Sequence, residues 1–389
     1  MGIKTINIVA GGRYTSELTY SALTNSGYDV RIYSSSPKKY FKTVPSEKIT
    51  LVPKFFQIAQ KVLRRRMPRF LHDFDAGLFD LIISKIMRPA DLIWGYNGNS
   101  LMSGKVIKNN GGGYVLDRPC PHLIVQADLM RKEAGKIGYP YAYPTKRGIK
   151  RFTDEYEICD AIVVPSRWTM GSFITKGVPA KKIHYIPLDV NPSQKSGSSA
   201  MPMKIGNGEL KKEFRVGIVG GSFLRKGIIY LLRAINILNK PDMVLYIRAT
   251  ESNVTQHPEA KTLCEKLGVI FVPYLDDINE FYQSLDVFVL PSVDEGFGMV
   301  LFEALRNGTP AMASQNVGAI DGLKPEEEIV LFPAGDEIAL AQVLDRLYCD
   351  QKLRKKIGKA GQEYYQKKIN KGGSYQRDVG SLVAMLAEK

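Results

Sequence analysis

The sequence predicts an α/β protein built from two Rossmann-like domains facing across a cleft. Three observations predict it. A chain of 389 residues is longer than one ordinary core and suits two. Two blocks of the chain repeat the same alternation of short apolar strands and helical patterns, which is the grammar of parallel α/β architecture. Between them, residues 192–207 are rich in Pro, Ser, Gly and Lys and poor in large apolar side chains, as a linker or long exposed loop would be.

The first block opens with the strand 6–10 and the turn Gly11-Gly12. A helical pattern over 16–26 and a strand at 29–33 follow. Further strands are predicted at 91–94, 114–116 and 161–164, with 182–187 closing this half. The second block starts with the strand 214–219, the turn Gly220-Gly221-Ser222 and a helix over 228–238. Strands at 243–247, 269–272 and 287–290 come next, then a helix over 299–306 and a strand at 310–313. Residues 336–389 read as helix with Gly-rich interruptions. The expected domains are therefore 1–190, a linker 191–213, a second domain 214–362, and a C-terminal helix 363–389 that returns to the first domain. In open parallel sheets ligands lie beyond the carboxyl ends of strands, so the turns after strands are where chemistry is sought.

Composition narrows the function classes. Hydrophobic residues make up 44% and charged residues 24%, as in soluble globular proteins. No apolar run reaches the roughly 18 to 20 residues of a membrane span. The N-terminal segment reads as a first strand and not a signal peptide. Four cysteines, Cys120, Cys159, Cys264 and Cys349, form no C-x-x-C pair, which fits reduced thiols in the cytoplasm. The net charge of +15 suits nucleic acid, an anionic membrane surface or a phosphorylated substrate alike. That charge makes a basic nucleic-acid-binding protein the alternative outside enzymes, but no helix-turn-helix, aromatic RNA-binding or zinc module accompanies it. A G-x-G-x-x-G turn with an acidic residue further on is missing from both blocks, which disfavours a Rossmann oxidoreductase.

The strongest motif runs from Pro291 to Leu305, PSVDEGFGMVLFEAL, directly after the strand 287–290. Gly296 and Gly298 allow a tight turn and close backbone approach. The helix beginning at Met299 and Val300 aims its free N–H groups and positive end at an anion such as a diphosphate. Glu303 sits about one turn inside that helix among apolar neighbours, where a carboxylate requires hydrogen-bond donors. Ribose hydroxyls would supply them, and so would an internal Arg or backbone group. The turn Gly220-Gly221-Ser222-Phe223-Leu224-Arg225-Lys226-Gly227 pairs close-approaching backbone with two cations, again suiting a diphosphate.

Glu295 and Glu303 form an E-x7-E pattern, and on it the chain resembles the large family of retaining GT-B glycosyltransferases usually called GT4, which includes sucrose and bacterial polysaccharide enzymes. The likeness covers nearly the whole chain. It extends through EICDAIVVPS at 157–166, GVPAKKI at 177–183, Asn307-Gly308-Thr309-Pro310 and Lys226-Gly227. The resemblance implies that Glu303 holds the donor ribose, that Glu295 lies near the donor sugar, and that the backbone at Gly296, Phe297, Gly298, Met299 and Val300 contacts sugar and phosphates. It makes Lys226 the phosphate-binding lysine, with Arg225 standing in for an arginine that relatives carry a few residues earlier, where this chain has Gly221 and Ser222. It places a functional His at His122, in the loop Asp117-Arg118-Pro119-Cys120-Pro121-His122, where it either accepts the acceptor's proton or hydrogen-bonds a sugar hydroxyl. Gly12 and Arg13 approach donor phosphate or acceptor in such proteins, and a plain turn is the alternative. The base is expected near Tyr274. The implied activity is hexosyl transfer from a nucleotide sugar, UDP-glucose or a close UDP-hexose first and GDP-mannose second. The implied acceptor is a glycan or lipid-linked, and no cofactor or metal is required.

Two further stretches leave alternatives open. Asp73-Phe74-Asp75 has a D-x-D spacing that can ligate a hard cation, yet it precedes a helical pattern at 78–87, so capping and pairing with nearby arginines explain it better. Residues Lys54 to Arg69 interleave apolar and basic residues at helical spacing. That pattern suits peripheral contact with an anionic membrane at the inner face, and a solvated face packed on its own domain equally well. Residues 352–371 are also basic, and there a solvated helix is expected.

Overall fold

The structure is a computed structural model that describes residues 2–13, 15–55, 58, 69–142, 144–189, 213–273 and 277–388. The chain divides into two compact units. One comprises Met1–Ala127, Ala142–Asp189 and Gly373–Lys389, the other Asp128–Tyr141 and Val190–Gly372.

The first unit holds a seven-stranded parallel sheet: β1 (Thr5–Ala10), β2 (Asp29–Ser34), β3 (Ile49–Leu51), β4 (Leu92–Tyr96), β5 (Gly113–Asp117), β6 (Ala161–Val164) and β7 (Ile183–Tyr185). Its order is β3-β2-β1-β4-β5-β6-β7. Successive side chains of a strand point to opposite faces. Ile8, Trp94 and Val115 thus join one apolar layer, while Val9, Ile93 and Leu116 join the other. Burial on both faces is why these strands read as unbroken apolar runs.

The helix Ser374–Ala387 packs on this sheet through Val379, Leu382 and Val383. Its start is fixed by polar ties. Asp189 accepts from Ser374 Oγ at 2.6 Å and from the Tyr375 N–H at 3.1 Å, and the Tyr375 and Thr19 hydroxyls lie 2.7 Å apart. The boundary expected at residue 362 falls inside the helix Gln351–Asn370, and the break comes instead at Gly373, whose φ is +71°.

The second unit holds a six-stranded parallel sheet: β8 (Phe214–Val219), β9 (Met243–Arg248), β10 (Ile270–Phe271), β11 (Val287–Leu290), β12 (Ala311–Ser314) and β13 (Val330–Phe332). The order is β10-β9-β8-β11-β12-β13. The helix Ile228–Leu238 after β8 buries Ile228, Ile229, Leu231, Leu232 and Ile235. A helix apolar on nearly every side belongs inside a core.

Both sheets reverse strand order at one place, between β1 and β4 in the first and between β8 and β11 in the second. The loops leaving those strands are where a doubly wound sheet binds its ligand. Among the described residues no helix is long and apolar enough to cross a membrane.

Replacing Tyr375 by Phe deletes a buried hydroxyl bond yet leaves Thr19 Oγ1 beside Tyr96 Oη at 3.0 Å. Stability is expected to fall by about 1 kcal/mol, read as a lower urea midpoint. An unchanged midpoint would show that this tie does not hold the terminal helix.

Candidate functional site

In the second unit the two loops flanking the strand-order reversal are stitched together. The Val293 N–H donates to Arg225 O at 2.9 Å. Gly227, at φ +66°, approaches so closely that a Cβ there would lie 1.9 Å from Pro291 O.

The loop after β8 is a tight turn in which Lys226 N–H donates to Ser222 O at 2.8 Å and Gly227 N–H to Leu224 O at 3.0 Å. Phe223 and Leu224 are buried and anchor it. Gly221 is half-buried and Ser222 exposed. Arg225 and Lys226 therefore leave a fixed backbone.

The loop after β11 is held by the segment that follows β12. Asn316 Nδ2 donates to Val293 O at 2.8 Å, and Asn316 O accepts from the Glu295 N–H at 3.1 Å. Gly318 and Ala319 N–H groups donate to the carbonyls of Glu295 and Phe297 at 2.9 and 2.6 Å. Phe297 is buried and stacks on Phe302 with centroids 5.7 Å apart. Gly296 is buried too, and Gly298, at φ +101°, turns the chain into the helix Met299–Arg306. No side chain caps that helix, so its opening N–H groups near Met299 and Val300 present the positive end that favours an anion.

Charge concentrates at this point. Glu295 Oε2 accepts from Lys226 Nζ at 2.7 Å and from Arg225 Nη1 at 2.9 Å. Burial alone would raise the Glu295 carboxyl pKa, but the Arg225 and Lys226 charges outweigh it and hold the group below the usual range. Burial lowers the Lys226 ammonium, with Glu295 opposing. Two cations and a helix N-terminus are thus gathered as for an anion, and the carboxylate that meets them comes from the chain itself.

Glu303, half-buried on the same helix, accepts from Tyr282 Oη at 2.8 Å. The sequence reading sought an arginine, a backbone group or a ligand as its donor and missed Tyr282. Asn316, which supports the loop, was missed as well. Its place just past β12 was the available signal. Tyr274 lies outside the described residues.

The remaining candidates belong to the first unit. Gly12 is half-buried after β1, and Arg13 is exposed and paired with Glu17 at 2.9 Å, one helical turn on. That geometry is an ordinary surface ion pair. His122 is buried, its ring 4.8 Å from Tyr156 and 5.2 Å from Phe173. Its own N–H donates to Ser172 Oγ at 2.8 Å, and ring Nδ1 accepts from the Ile124 N–H at 3.3 Å. Burial pushes its pKa down to about 4, with Arg118 and Lys176 adding to the effect. The imidazole is neutral at pH 7 and its proton sits on Nε2, so it is set to donate a hydrogen bond rather than to take a proton.

Two expectations need correction. Asp73 and Asp75 lie inside the helix Arg69–Ile86, not before it. Residues two apart on a helix do not face one another. Asp73 instead accepts the Thr145 hydroxyl, whose Oγ1 caps the helix Lys146–Ile158. Lys54 does not belong to an exposed basic face, because it is buried at 6% exposure. Most of the stretch 54–69 lies outside the described residues. Among the described residues no three His, Cys, Asp or Glu side chains are grouped to hold a metal ion.

Residues 203–364 match the family described as glycosyl transferases group 1. The capsular polysaccharide biosynthesis glycosyltransferase CapM of Staphylococcus aureus is 29% identical over 41% of this chain and 43% of its own length. An uncharacterized glycosyltransferase of Methanocaldococcus jannaschii is 29% identical over 60% and 63%. The chain thus spans roughly half the length of these curated relatives. Likeness of fold is broader. Sucrose-phosphate synthase from Thermosynechococcus elongatus superposes with a TM-score of 0.69 at 20% identity, covering 98% of this chain and 99% of that one. Anabaena HepE in complex with UDP-glucose superposes with a TM-score of 0.67 at 15% identity, over 97% and 99%. The fold is of the GT-B class.

Glu295→Gln removes the internal anion from Lys226 and Arg225. Inorganic pyrophosphate is expected to bind roughly tenfold more tightly, about 1.4 kcal/mol, in calorimetric titration. Weaker binding would mean that Glu295 positions the cations and does not compete for them.

Asp117 at the end of β5 is buried, with Oδ2 accepting from Trp94 Nε1 at 3.2 Å. Burial raises its pKa to about 7 from an ordinary 3.8. The folded chain therefore holds a proton that the unfolded chain releases between those values. The stability it contributes is complete below the lower value and is lost as pH rises through 7. Glu155 has the same sign, and His122, depressed by burial, the opposite one. Asp117→Asn is expected to lose less stability than wild type when pH rises from about 5 to about 8, by urea midpoint. Parallel pH curves would contradict the assignment.

Proposed function

We propose that the protein is a retaining glycosyltransferase that moves a hexosyl unit from a nucleoside diphosphate sugar to a glycan or lipid-linked acceptor. The observation that carries this reading is the convergence of Lys226 and Arg225 on one carboxylate beside the uncapped start of the helix Met299–Arg306. The match to glycosyl transferases group 1 and the relatives in capsule and lipopolysaccharide core synthesis support it. UDP-glucose or a close UDP-hexose is the favoured donor, supported by the fold shared with HepE, whose structure contains UDP-glucose. GDP-mannose is the second choice.

In this reading the bond between the anomeric carbon and the diphosphate oxygen breaks, and the electron pair stays on that oxygen. Lys226, Arg225 and the helix N–H groups stabilise the growing charge, with no metal required. The acceptor hydroxyl bonds the anomeric carbon on the face the leaving group vacates, and its proton passes to the departing phosphate. Glu295, released from the cations, hydrogen-bonds the donor sugar, and Glu303 with Tyr282 holds the ribose. His122 offers its Nε2–H to a sugar hydroxyl.

Calorimetric titration of UDP, GDP and ADP in EDTA tests the donor site. One nucleotide is expected to bind tightly, and Glu303→Ala to weaken it by about 10 to 100-fold, as losing hydrogen bonds to a charged group does. Binding of none of the three, or binding that requires Mg²⁺, would overturn the reading.

A further inference from the structure

The turn that carries Arg225 and Lys226 leans on a distant stretch of sequence. Residues Asp128–Tyr141 belong to the second unit, although the chain returns to the first at Ala142. They form the later part of the helix Leu123–Lys136 and the turn after it. The Tyr139 N–H donates to Ala134 O at 2.9 Å and Gly138 takes φ +63°, a left-handed glycine stop that lets the chain leave the helix sharply. Met130, Ala134 and Ile137 are buried in the apolar core of the second unit.

This segment meets the Gly220–Gly227 turn on both sides of its cations. Before them, Phe223 is buried, with its ring centroid 5.6 Å from that of Tyr139. Phe223 also stacks on His257, centroids 5.3 Å apart and planes 24° apart. His257, only 8% exposed, sets Nε2 2.9 Å from Ile137 O. A carbonyl oxygen only accepts, so Nε2 carries the proton. Among the described residues Nδ1 has no hydrogen-bond partner. The imidazole thus offers one donor to the segment and one flat face to Phe223. After the cations, Tyr230 Oη on the helix Ile228–Leu238 donates to the buried carboxylate of Glu133 at 2.5 Å.

The turn itself transmits this support. The Ile228 N–H donates to Phe223 O at 3.2 Å and the Lys226 N–H to Ser222 O at 2.8 Å. The Lys226 stem runs along Gly220, where a Cβ would lie 2.9 Å from Lys226 Cε. A displacement of Phe223 therefore moves the backbone from which both cations leave.

We propose that His257 and Tyr139 are positioning residues for the anion site: they fix Phe223, and through it the direction in which Arg225 and Lys226 meet an anion. That the anion is the diphosphate of a sugar donor rests on the transferase reading. The positioning itself does not, since both cations already meet Glu295.

Inorganic pyrophosphate is titrated by calorimetry into the full chain and its variants, each well below its own thermal midpoint. His257→Phe keeps a flat ring against Phe223 and loses the bond to Ile137 O. It is expected to melt at a lower temperature than wild type and to keep wild-type affinity. His257→Gln keeps an N–H for Ile137 O and loses the ring, and it is expected to bind about tenfold more weakly, as misplaced groups do. Tyr139→Ala, at a half-buried position, is expected to weaken binding likewise and stands in should His257→Gln fail to fold. Affinity unchanged in His257→Gln and Tyr139→Ala, or affinity that follows the midpoint and not the ring, would overturn the proposal. Urea unfolding supplies a readout without ligand. The cost of Glu295→Gln in the unfolding constant is expected to be about threefold smaller in Tyr139→Ala than in wild type, as for coupled residues. Equal costs in the two backgrounds overturn the positioning. A wild-type chain that binds neither pyrophosphate nor UDP counts against the donor reading, and the unfolding cycle then decides the positioning alone.

Discussion

The second unit depends on how Glu295 holds Lys226 and Arg225. Two cations side by side on a tight turn repel each other, and burial of Lys226 removes the water that would screen them. A carboxylate 2.7 and 2.9 Å away relieves both problems at once, and it arrives on a loop whose backbone is already fixed by Asn316, Gly318 and Ala319. Removing one member of such a buried cluster leaves the others uncompensated, which is costlier than never having built it.

The close approach of the two loops is as necessary as the charges. Gly227 leaves no room for a side chain beside Pro291 O, and Gly298 takes the left-handed conformation that starts the next helix. The reversal of strand order between β8 and β11 is the place where doubly wound sheets bind their ligands, and both loops leave strands that flank it.

Much of this was legible in the sequence because the signals are local. The strands 214–219 and 287–290 and the helix 299–306 are compact apolar patterns bounded by glycine, and their bounds agree with the structure. β3 and β13, three residues each, were missed, although β7 and β10 are no longer than these and were anticipated. Long-range partners were not legible at all. Tyr282 lies 21 positions before Glu303, on the short helix Asn279–Gln283, and nothing in either segment announces the pairing. Lys54 was misread for the same reason. Its spacing suits a basic helical face, and only the fold carries it under Gly11 and Asn99.

The two units apply one electrostatic rule in opposite senses. In the second, the cations of Arg225 and Lys226 are neutralised by the internal carboxylate of Glu295. In the first, the buried carboxylates Glu155 and Asp80 are matched by helix N–H groups and Arg151, and Lys54 makes no ion pair among the described residues. Burial of a charge without an ion pair opposes folding, and that cost is what pushes the Lys54 pKa down to about 8, with Asp75 opposing.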